Sequence, residues 1–296
     1  MTKHHLGFLG LFTWLSWALA VQAQGSLPWQ DEYLDGTPPQ HLVKLIFIHH
    51  STGENWLADD NGGLGLALAA NNYYVSDTHY GWGRNSIGDR TDIPDWPEWF
   101  AGVSTHLYLA DLSAESGQHS PYSRWATDSG RRNQVILFKS CFPNSALEGQ
   151  PDDSPDAQPG LTVGHAKYVY NLILGYFGLR PDKLFVVITA PPLSDDSHGA
   201  NARAFNEWLR NDWLQDAGYP YANVAVFDFY NLLTDPDAHH RLVAGREEHQ
   251  MGASDLLAYP SAPDDDHPSQ AGNLKATEEF VPLLNGFYHR WVNHHP

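Results

Sequence analysis

The chain has 296 residues, 42% hydrophobic and only 18% charged, a composition that excludes an intrinsically disordered protein. Its formal net charge of −18 disfavours nucleic acid and anionic membrane surfaces as partners, because both would repel it. Since Cys141 is the single cysteine, the chain can form neither an internal disulfide nor a cysteine-rich zinc site. We therefore expect a globular protein stabilised by its hydrophobic core.

The first residues have the pattern of a secretory signal peptide. Lys3 precedes an apolar run over residues 6–20, and a small-residue cleavage pattern ends at Ala23. We expect residues 1–23 to be removed and the protein to be secreted or periplasmic, with no stable membrane association after cleavage. An uncleaved anchor is the alternative, although the run is short for a spanning helix. Residues 24–40 are predicted to form a leader loop before a single domain over 41–296.

Strand and helix patterns alternate along the rest of the chain. Continuous apolar runs are typical of strands that are covered on both faces. Such runs occupy residues 42–48, 73–75, 135–138, 184–189 and 224–229. Helical spacing follows at 64–70, 163–176, 200–216 and 280–291. Segments 111–133 and 232–263 lack a clear period, and we predict loop insertions there. The alternation predicts an α/β domain with a mainly parallel sheet.

Three polar clusters lie where such a sheet would place a ligand, beyond the carboxyl ends of its strands or in the last loop. The first is HHSTG at 49–53 and follows the first strand. The second is KSCFPNS at 139–145 and follows the third. The third is DDDHPS at 264–269 and precedes the final helix. We expect the reacting groups to come from these clusters.

The pair Asp264 and His267 has the spacing D-x-x-H. A carboxylate at this spacing can accept the Nδ1–H of the histidine, which leaves Nε2 free to act as a base. A serine hydroxyl is a weak nucleophile until such a base removes its proton, and Ser51 is the best-placed candidate. The alternative interpretation is a solvated acidic turn with Ser269 as a helix cap.

Taken together, these motifs resemble the SGNH hydrolase superfamily, also called GDSL-type lipases and esterases. Ser51 matches the family's serine by position, and Asp264, His267 and the following Pro268 and Ser269 match its terminal motif. The resemblance spans residues 42–292 and implies a three-layer α/β/α, flavodoxin-like fold. The chain departs from the family at its first block, since HHS stands where the family has GDS.

The resemblance also implies an oxyanion hole and a mechanism without a cofactor. Its donors would be the backbone amide of Ser51, Gly81 and Asn144. Gly83 is an alternative to Gly81, and the third block reads KSCFPNS instead of the family's G-x-N-D. The candidate substrate contacts are His50, Trp82 and Trp99.

Other interpretations of the same clusters stay open. Ser140 and Cys141 are competing nucleophiles, although a buried, inert thiol is the expectation for Cys141. A metal site is an alternative that we do not adopt, since no known metal-binding spacing is present. Its ligands would be His49, His50, Asp77 and His79. Trp96, Trp99 and Phe100 are either a sugar-stacking wall or part of the core.

From these residues we expect a secreted serine hydrolase that cleaves a carboxylic ester, with an acetyl ester on a carbohydrate as the substrate class. An exported polysaccharide O-acyltransferase of the same fold is one alternative, because the same triad would serve it. A non-catalytic glycan-binding protein on a degenerate hydrolase scaffold is the other. The sequence specifies neither the acyl group nor the sugar.

Overall fold

In the computed structural model, the residues described are 27, 29, 32–117, 122, 124 and 128–295. The predicted signal peptide at 1–23 lies outside them. Strands of the main sheet are β1 (Val43–Ile48), β2 (Tyr73–Thr78), β3 (Val135–Lys139), β4 (Leu184–Ile188) and β5 (Val224–Phe227). A separate hairpin consists of β6 (His239–Val243) and β7 (Arg246–Gln250). Within the described residues, no helix has both the length and the apolar character needed to span a bilayer.

The helices connect these strands. The α-helices are α1 (Ser51–Leu57), α2 (Leu64–Ala70), α3 (Trp96–Phe100), α4 (Thr105–Ala114), α5 (Val163–Gly178), α6 (Gly199–Asn211), α7 (Trp213–Asp216), α8 (Phe229–Leu232) and α9 (Gln270–His294). Short 3₁₀ helices are η1 (Arg84–Asp89), η2 (Ile93–Asp95) and η3 (Phe142–Ser145).

The main sheet is wholly parallel and its strand order is β2-β1-β3-β4-β5. This is the flavodoxin-like order, so the predicted α/β fold with a mainly parallel sheet is confirmed. The chain passes from β1 to β2 on one side of it and then crosses back to β3 on its other side. The crevice beyond the ends of β1 and β3 is therefore the place where such sheets bind ligands.

The core has two hydrophobic layers, one on each face of the sheet. Alternate residues of β1 divide between them: Ile46 and Ile48 join one cluster, and Leu45 and Phe47 join the other. Helices α3 to α7 cover the first face, and α1, α2, α8 and α9 cover the second. This division explains why the strands are continuously apolar, since each one is buried on both sides.

The structure differs from the sequence interpretation in three segments. Residues 111–133 begin inside α4, and 232–263 contain the β6–β7 hairpin, so neither is only a loop. The predicted helix at 200–216 is divided at Asp212 into α6 and α7. The described part of the predicted leader loop packs on the domain, because Leu34 is buried and its amide donates to Gly245 O at 2.8 Å.

Candidate active site

Ser51 is the first residue of α1, and only two residues, His49 and His50, separate it from the end of β1. Helix α1 can start this close to the strand because Gly53 has no side chain. A Cβ there would lie 2.4 Å from the Cβ of His49, far inside van der Waals contact. The nucleophile candidate is thus placed by a tight strand-to-helix connection at the carboxyl end of β1.

His267 lies in the loop before α9, and the fold brings it to Ser51. Its Nε2 is 3.1 Å from Ser51 Oγ, although 216 residues separate the two in sequence. The opposite ring nitrogen, Nδ1, is 2.8 Å from Asp265 Oδ1. A carboxylate oxygen accepts the Nδ1–H, so Nε2 carries the lone pair that faces the serine.

The carboxylate beside His267 corrects the sequence interpretation, since it belongs to Asp265 and not to Asp264. Asp264 is exposed and has a left-handed backbone with φ of +60°. Asp266 instead accepts hydrogen bonds from the amide and hydroxyl of Ser194, both at 2.7 Å. The three consecutive aspartates therefore differ in their surroundings: Asp264 is exposed to solvent, Asp265 contacts the imidazole, and Asp266 bonds to Ser194.

Hydrogen bonds hold Asp265 in its ionised form. The hydroxyl of Ser261, the backbone amide of His267 and the His267 ring together lower the pKa of Asp265 to about 2. The loop is closed by a second contact, since the Ser261 amide donates to His267 O at 2.9 Å. His267 therefore sits in a loop that fixes its ring while 30% of its side chain stays accessible to solvent.

A buried cluster of polar groups lies directly behind Ser51. Cys141 Sγ is 3.6 Å from Ser51 Oγ and 3.5 Å from Thr52 Oγ1, and Lys139 Nζ donates to Thr52 Oγ1 and to Ser140 O. Burial lowers the pKa of Lys139 to about 8, although the nearby Cys141 sulfur opposes this. Burial raises the pKa of Cys141, but Lys139, Thr52 and Ser51 outweigh it, so the net shift is downward.

The competing nucleophiles have different surroundings. Ser140 is buried, and its hydroxyl accepts a hydrogen bond from Trp96 Nε1 at 3.1 Å on the core side of the strand. Cys141 is also buried, but it contacts the reacting serine directly. Of the three candidate nucleophiles, only Ser51 has the ring of a histidine within hydrogen-bond distance in the part of the chain that the structure describes.

Two of the predicted oxyanion donors are engaged elsewhere. The Gly81 amide donates to Asp89 Oδ1 at 2.6 Å, and Asn144 Nδ2 donates to Asp92 Oδ1 at 2.6 Å and to Cys141 O at 3.3 Å. Both hydrogens of the Asn144 amide are therefore occupied. The third predicted donor, the Ser51 amide, makes no hydrogen bond to any residue that the structure describes.

The predicted substrate contacts divide between the site and the core. Trp82 and Trp99 are buried and stack on each other at 6.0 Å, so neither forms a substrate wall. His50 is adjacent to Ser51; its Nε2 donates to Gly88 O at 2.7 Å, and burial lowers its pKa. Trp96 and Phe100 are core residues as well.

Two aromatic residues that the sequence does not single out border the site instead. Tyr80 stacks on the His50 ring at 4.0 Å and is 54% exposed. Phe142 lies edge-on to His267, with ring centroids 4.9 Å apart. The signal in the sequence was their position, since Tyr80 lies two residues beyond β2 and Phe142 lies three residues beyond β3, the strands on either side of β1.

The residues of the alternative metal site do not converge. His49 Nε2 lies 3.0 Å from Asp77 Oδ2 and its Nδ1 donates to His50 O, whereas His50 bonds to Gly88 O and His79 lies beside Glu54. No group of three or more histidine, cysteine, aspartate or glutamate side chains among the described residues is arranged to hold a metal ion.

No protein-family model matches the chain, and no curated protein sequence is significantly similar to it. Solved structures with a similar arrangement include a family two carbohydrate esterase from Cellvibrio japonicus, at 15% identity and a TM-score of 0.40. Another is a family two carbohydrate esterase from Clostridium thermocellum in complex with cellohexaose, at 14% identity and a TM-score of 0.41. They cover 86% and 85% of this chain, which spans only 63% and 66% of theirs.

Proposed function

We propose that this protein is a serine hydrolase of carboxylic esters, with Ser51, His267 and Asp265 as its catalytic triad. The observation that carries the proposal is the continuous contact Ser51 Oγ–His267 Nε2–Asp265, at 3.1 Å and 2.8 Å. Each group of the triad acts on the next one: the carboxylate fixes the tautomer of the imidazole, and the imidazole takes the proton of the serine as the serine attacks.

The reaction follows from this arrangement. Ser51 Oγ attacks the acyl carbon while His267 Nε2 takes its proton, and the carbonyl oxygen becomes an oxyanion. The free amide of Ser51 is the donor best placed to stabilise that charge. His267 then gives the proton to the departing alcohol, which leaves an acyl-serine. Water, activated by the same imidazole, hydrolyses the acyl-serine and releases the acid.

An acetyl ester on a carbohydrate is the proposed substrate class. Tyr80 is an exposed aromatic ring that stacks on His50, the residue before Ser51 in the chain, and Phe142 packs edge-on against His267. Flat aromatic faces pack well against the apolar faces of sugar rings, and both rings lie next to residues of the triad or its immediate neighbour. Export, as the predicted signal peptide at 1–23 implies, would bring the enzyme to glycans outside the cytoplasm.

The test is a substrate screen with the purified protein. We expect hydrolysis of p-nitrophenyl acetate, slower hydrolysis of butyrate and octanoate esters, and release of acetate from acetylated glycans. Ser51→Ala should abolish all of these while leaving the circular dichroism spectrum unchanged. Equal turnover by Ser51→Ala would refute the triad, and a preference for octanoate over acetate would refute the proposed substrate class alone.

A further inference from the structure

A cavity lies beside β5, the edge strand on the far side of the sheet from β1 and Ser51. It has a volume of about 470 Å³ and is bounded by edge strand β5, the ends of α6 and α9, the start of β7, and the side chains of Leu27, Trp29, Glu32 and Leu34. Three strand spacings, about 14 Å, separate β5 from β1. This volume is in the range of small-molecule sites, so the cavity is large enough for a ligand of its own.

The lining is unusually basic for so acidic a chain. Among the described residues, Arg210, Arg246 and Arg290 line the cavity, and the carboxylates beside them are those of Glu32 and Glu247. The whole protein has 17 lysines and arginines for 35 acidic residues. Anions are therefore repelled by most of the molecule and attracted here.

Both carboxylates already have partners. Glu247 Oε1 accepts from Arg210 Nη2 at 2.6 Å and from the buried His240 at 2.9 Å. Glu32 lies 2.9 Å from His294 Nε2. Arg210 is thus neutralised by Glu247, and neither carboxylate contacts the remaining two arginines of the cavity.

Arg290 is half-buried and has an unpartnered donor facing inward. Its Nε is inaccessible to solvent and has no hydrogen-bond partner, and no salt bridge joins its guanidinium to another described residue. Its packing partner is the ring of Phe287, 5.1 Å away. Burial lowers the pKa of Arg290, which Glu247 and Glu32 partly oppose from a distance. A buried N–H without a partner is unfavourable, and an anion in the cavity would accept a hydrogen bond from it.

We propose that this cavity binds a small organic anion, whose carboxylate, sulfate or phosphate group is held by Arg290 and Arg246. The planar fork of a guanidinium matches such groups with two parallel hydrogen bonds. Arg246 is exposed and lies at the start of β7, where it can close over a bound group. The apolar side of the cavity, formed by Trp29, Leu214 and Phe287, would receive the carbon skeleton. The site is separate from the esterase site and does not depend on that function.

Calorimetric titration of the full protein tests this proposal. The probes are sodium sulfate, phosphate, acetate and glucuronate, each compared with sodium chloride at equal ionic strength, with glucose as the neutral control for glucuronate. We expect one bound anion per chain and a rise in the melting temperature that chloride and glucose do not give. Tighter binding of glucuronate than of acetate would identify a sugar acid, and tighter binding of sulfate or phosphate would identify a sulfate or phosphate ester.

Arg290→Met and Arg246→Gln should each weaken binding at least about tenfold, because each removes a charged donor pair. Arg246→Gln alters an exposed side chain and remains informative if Arg290→Met does not fold. Arg84→Gln, an exposed arginine paired with Asp111 outside the cavity, is the matched control and should bind normally. Hydrolysis of p-nitrophenyl acetate should be unchanged in all three variants. Binding no stronger than that of chloride, or full binding by Arg246→Gln, would overturn the proposal.

Discussion

Two histidine–carboxylate pairs in this fold have nearly the same hydrogen-bond distance but differ in their exposure to solvent and in their neighbours. His267 and Asp265 are 2.8 Å apart, and His249 and Asp228 are 2.9 Å apart. The first pair is about one-third exposed, whereas the second is almost completely buried. His267 turns its other nitrogen to Ser51, but no hydroxyl or thiol of the described residues hydrogen-bonds to His249.

The buried pair belongs to a network that fixes the β6–β7 hairpin to the sheet. Asp228 follows β5, accepts from Thr189 and Asn231, and donates its amide to His240 at 2.8 Å. Burial raises the pKa of Asp228, but its contact with His249 outweighs this and the net shift is downward. The comparison teaches that a carboxylate beside a histidine is not in itself a sign of catalysis. A solvent-accessible ring and an adjacent nucleophile are also needed.

The largest expected effects are on kcat for the first pair and on stability for the second. Ser51→Ala or His267→Gln should lower kcat by about 10⁴–10⁶, because loss of the nucleophile or base leaves only binding and oxyanion contributions. Neither change should alter the melting temperature much. His249→Gln should do the reverse, keeping kcat and losing on the order of 3 kcal/mol of unfolding free energy. Steady-state kinetics and urea denaturation of the three variants measure both; a dead but stable His249→Gln would reverse the assignment.

The next effect distinguishes neighbouring aspartates. Asp265→Asn should lower kcat by roughly 10⁴, since an amide no longer fixes the tautomer or balances the imidazolium. Asp264→Asn should remain within about twofold of the native rate, a change typical of an exposed residue without contacts. Progress curves with p-nitrophenyl acetate suffice for both variants. The reverse ranking would restore the D-x-x-H pairing that the sequence suggested.

These aspartates show how far sequence reasoning reached. Ser51 could be singled out because buried parallel strands form continuous apolar runs and sites follow their carboxyl ends, and His267 because it has the D-x-x-H spacing before the final helix. Which of three adjacent aspartates meets the imidazole depends on one left-handed residue, Asp264, and on a distant contact to Ser194. Such long-range contacts leave no local pattern.

Two other differences have similar causes. The engagement of Gly81 with Asp89 and of Asn144 with Asp92 depends on side-chain geometry that spacing does not reveal. The hairpin strands HHRLV and REEHQ are mostly polar, so they lack the apolar alternation that marks a strand. The signal available in the sequence was Gly245, which with Ala244 forms a two-residue turn with positive φ at both positions.

The buried lysine behind Ser51 gives a smaller, pH-dependent effect. The pKa of Lys139 is about 8 in the folded protein, against an ordinary value of 10.5. The unfolded chain therefore binds more protons between these values, and stability should rise with pH across that window. Lys139→Met should remove the rise, and the variant should unfold at a higher urea concentration than the native protein at pH 7.

Lys44→Met is the matched control for this buried lysine. Lys44 is equally buried but is paired with Asp128 at 3.0 Å, so its removal should destabilise the protein. Urea unfolding at pH 7, 9 and 10 measures both variants. A stability of Lys139→Met that is lower than native at every pH would contradict the lowered pKa.

The smallest expected effect concerns the aromatic residues. Tyr80→Ala should raise KM for an acetylated glycan by about tenfold, which is the worth of one good aromatic contact, and should leave KM for p-nitrophenyl acetate nearly unchanged. Trp99→Phe, which removes the hydrogen bond from Nε1 to Arg90 O, should lower stability by about 1 kcal/mol without changing either KM. If the glycan KM changed with Trp99→Phe and not with Tyr80→Ala, the tryptophan predicted from the sequence would be the substrate contact instead of Tyr80.

The most direct test of the triad is covalent labelling with a serine-directed fluorophosphonate, followed by intact-mass and peptide mass spectrometry. The account predicts one adduct per chain, on Ser51. It should be absent in Ser51→Ala, strongly slowed in His267→Gln and Asp265→Asn, and formed at the native rate in Asp264→Asn and His249→Gln. Labelling of Ser140 or Cys141 in the native protein, or undiminished labelling of Asp265→Asn, would contradict the proposal that Ser51, His267 and Asp265 act as one catalytic unit.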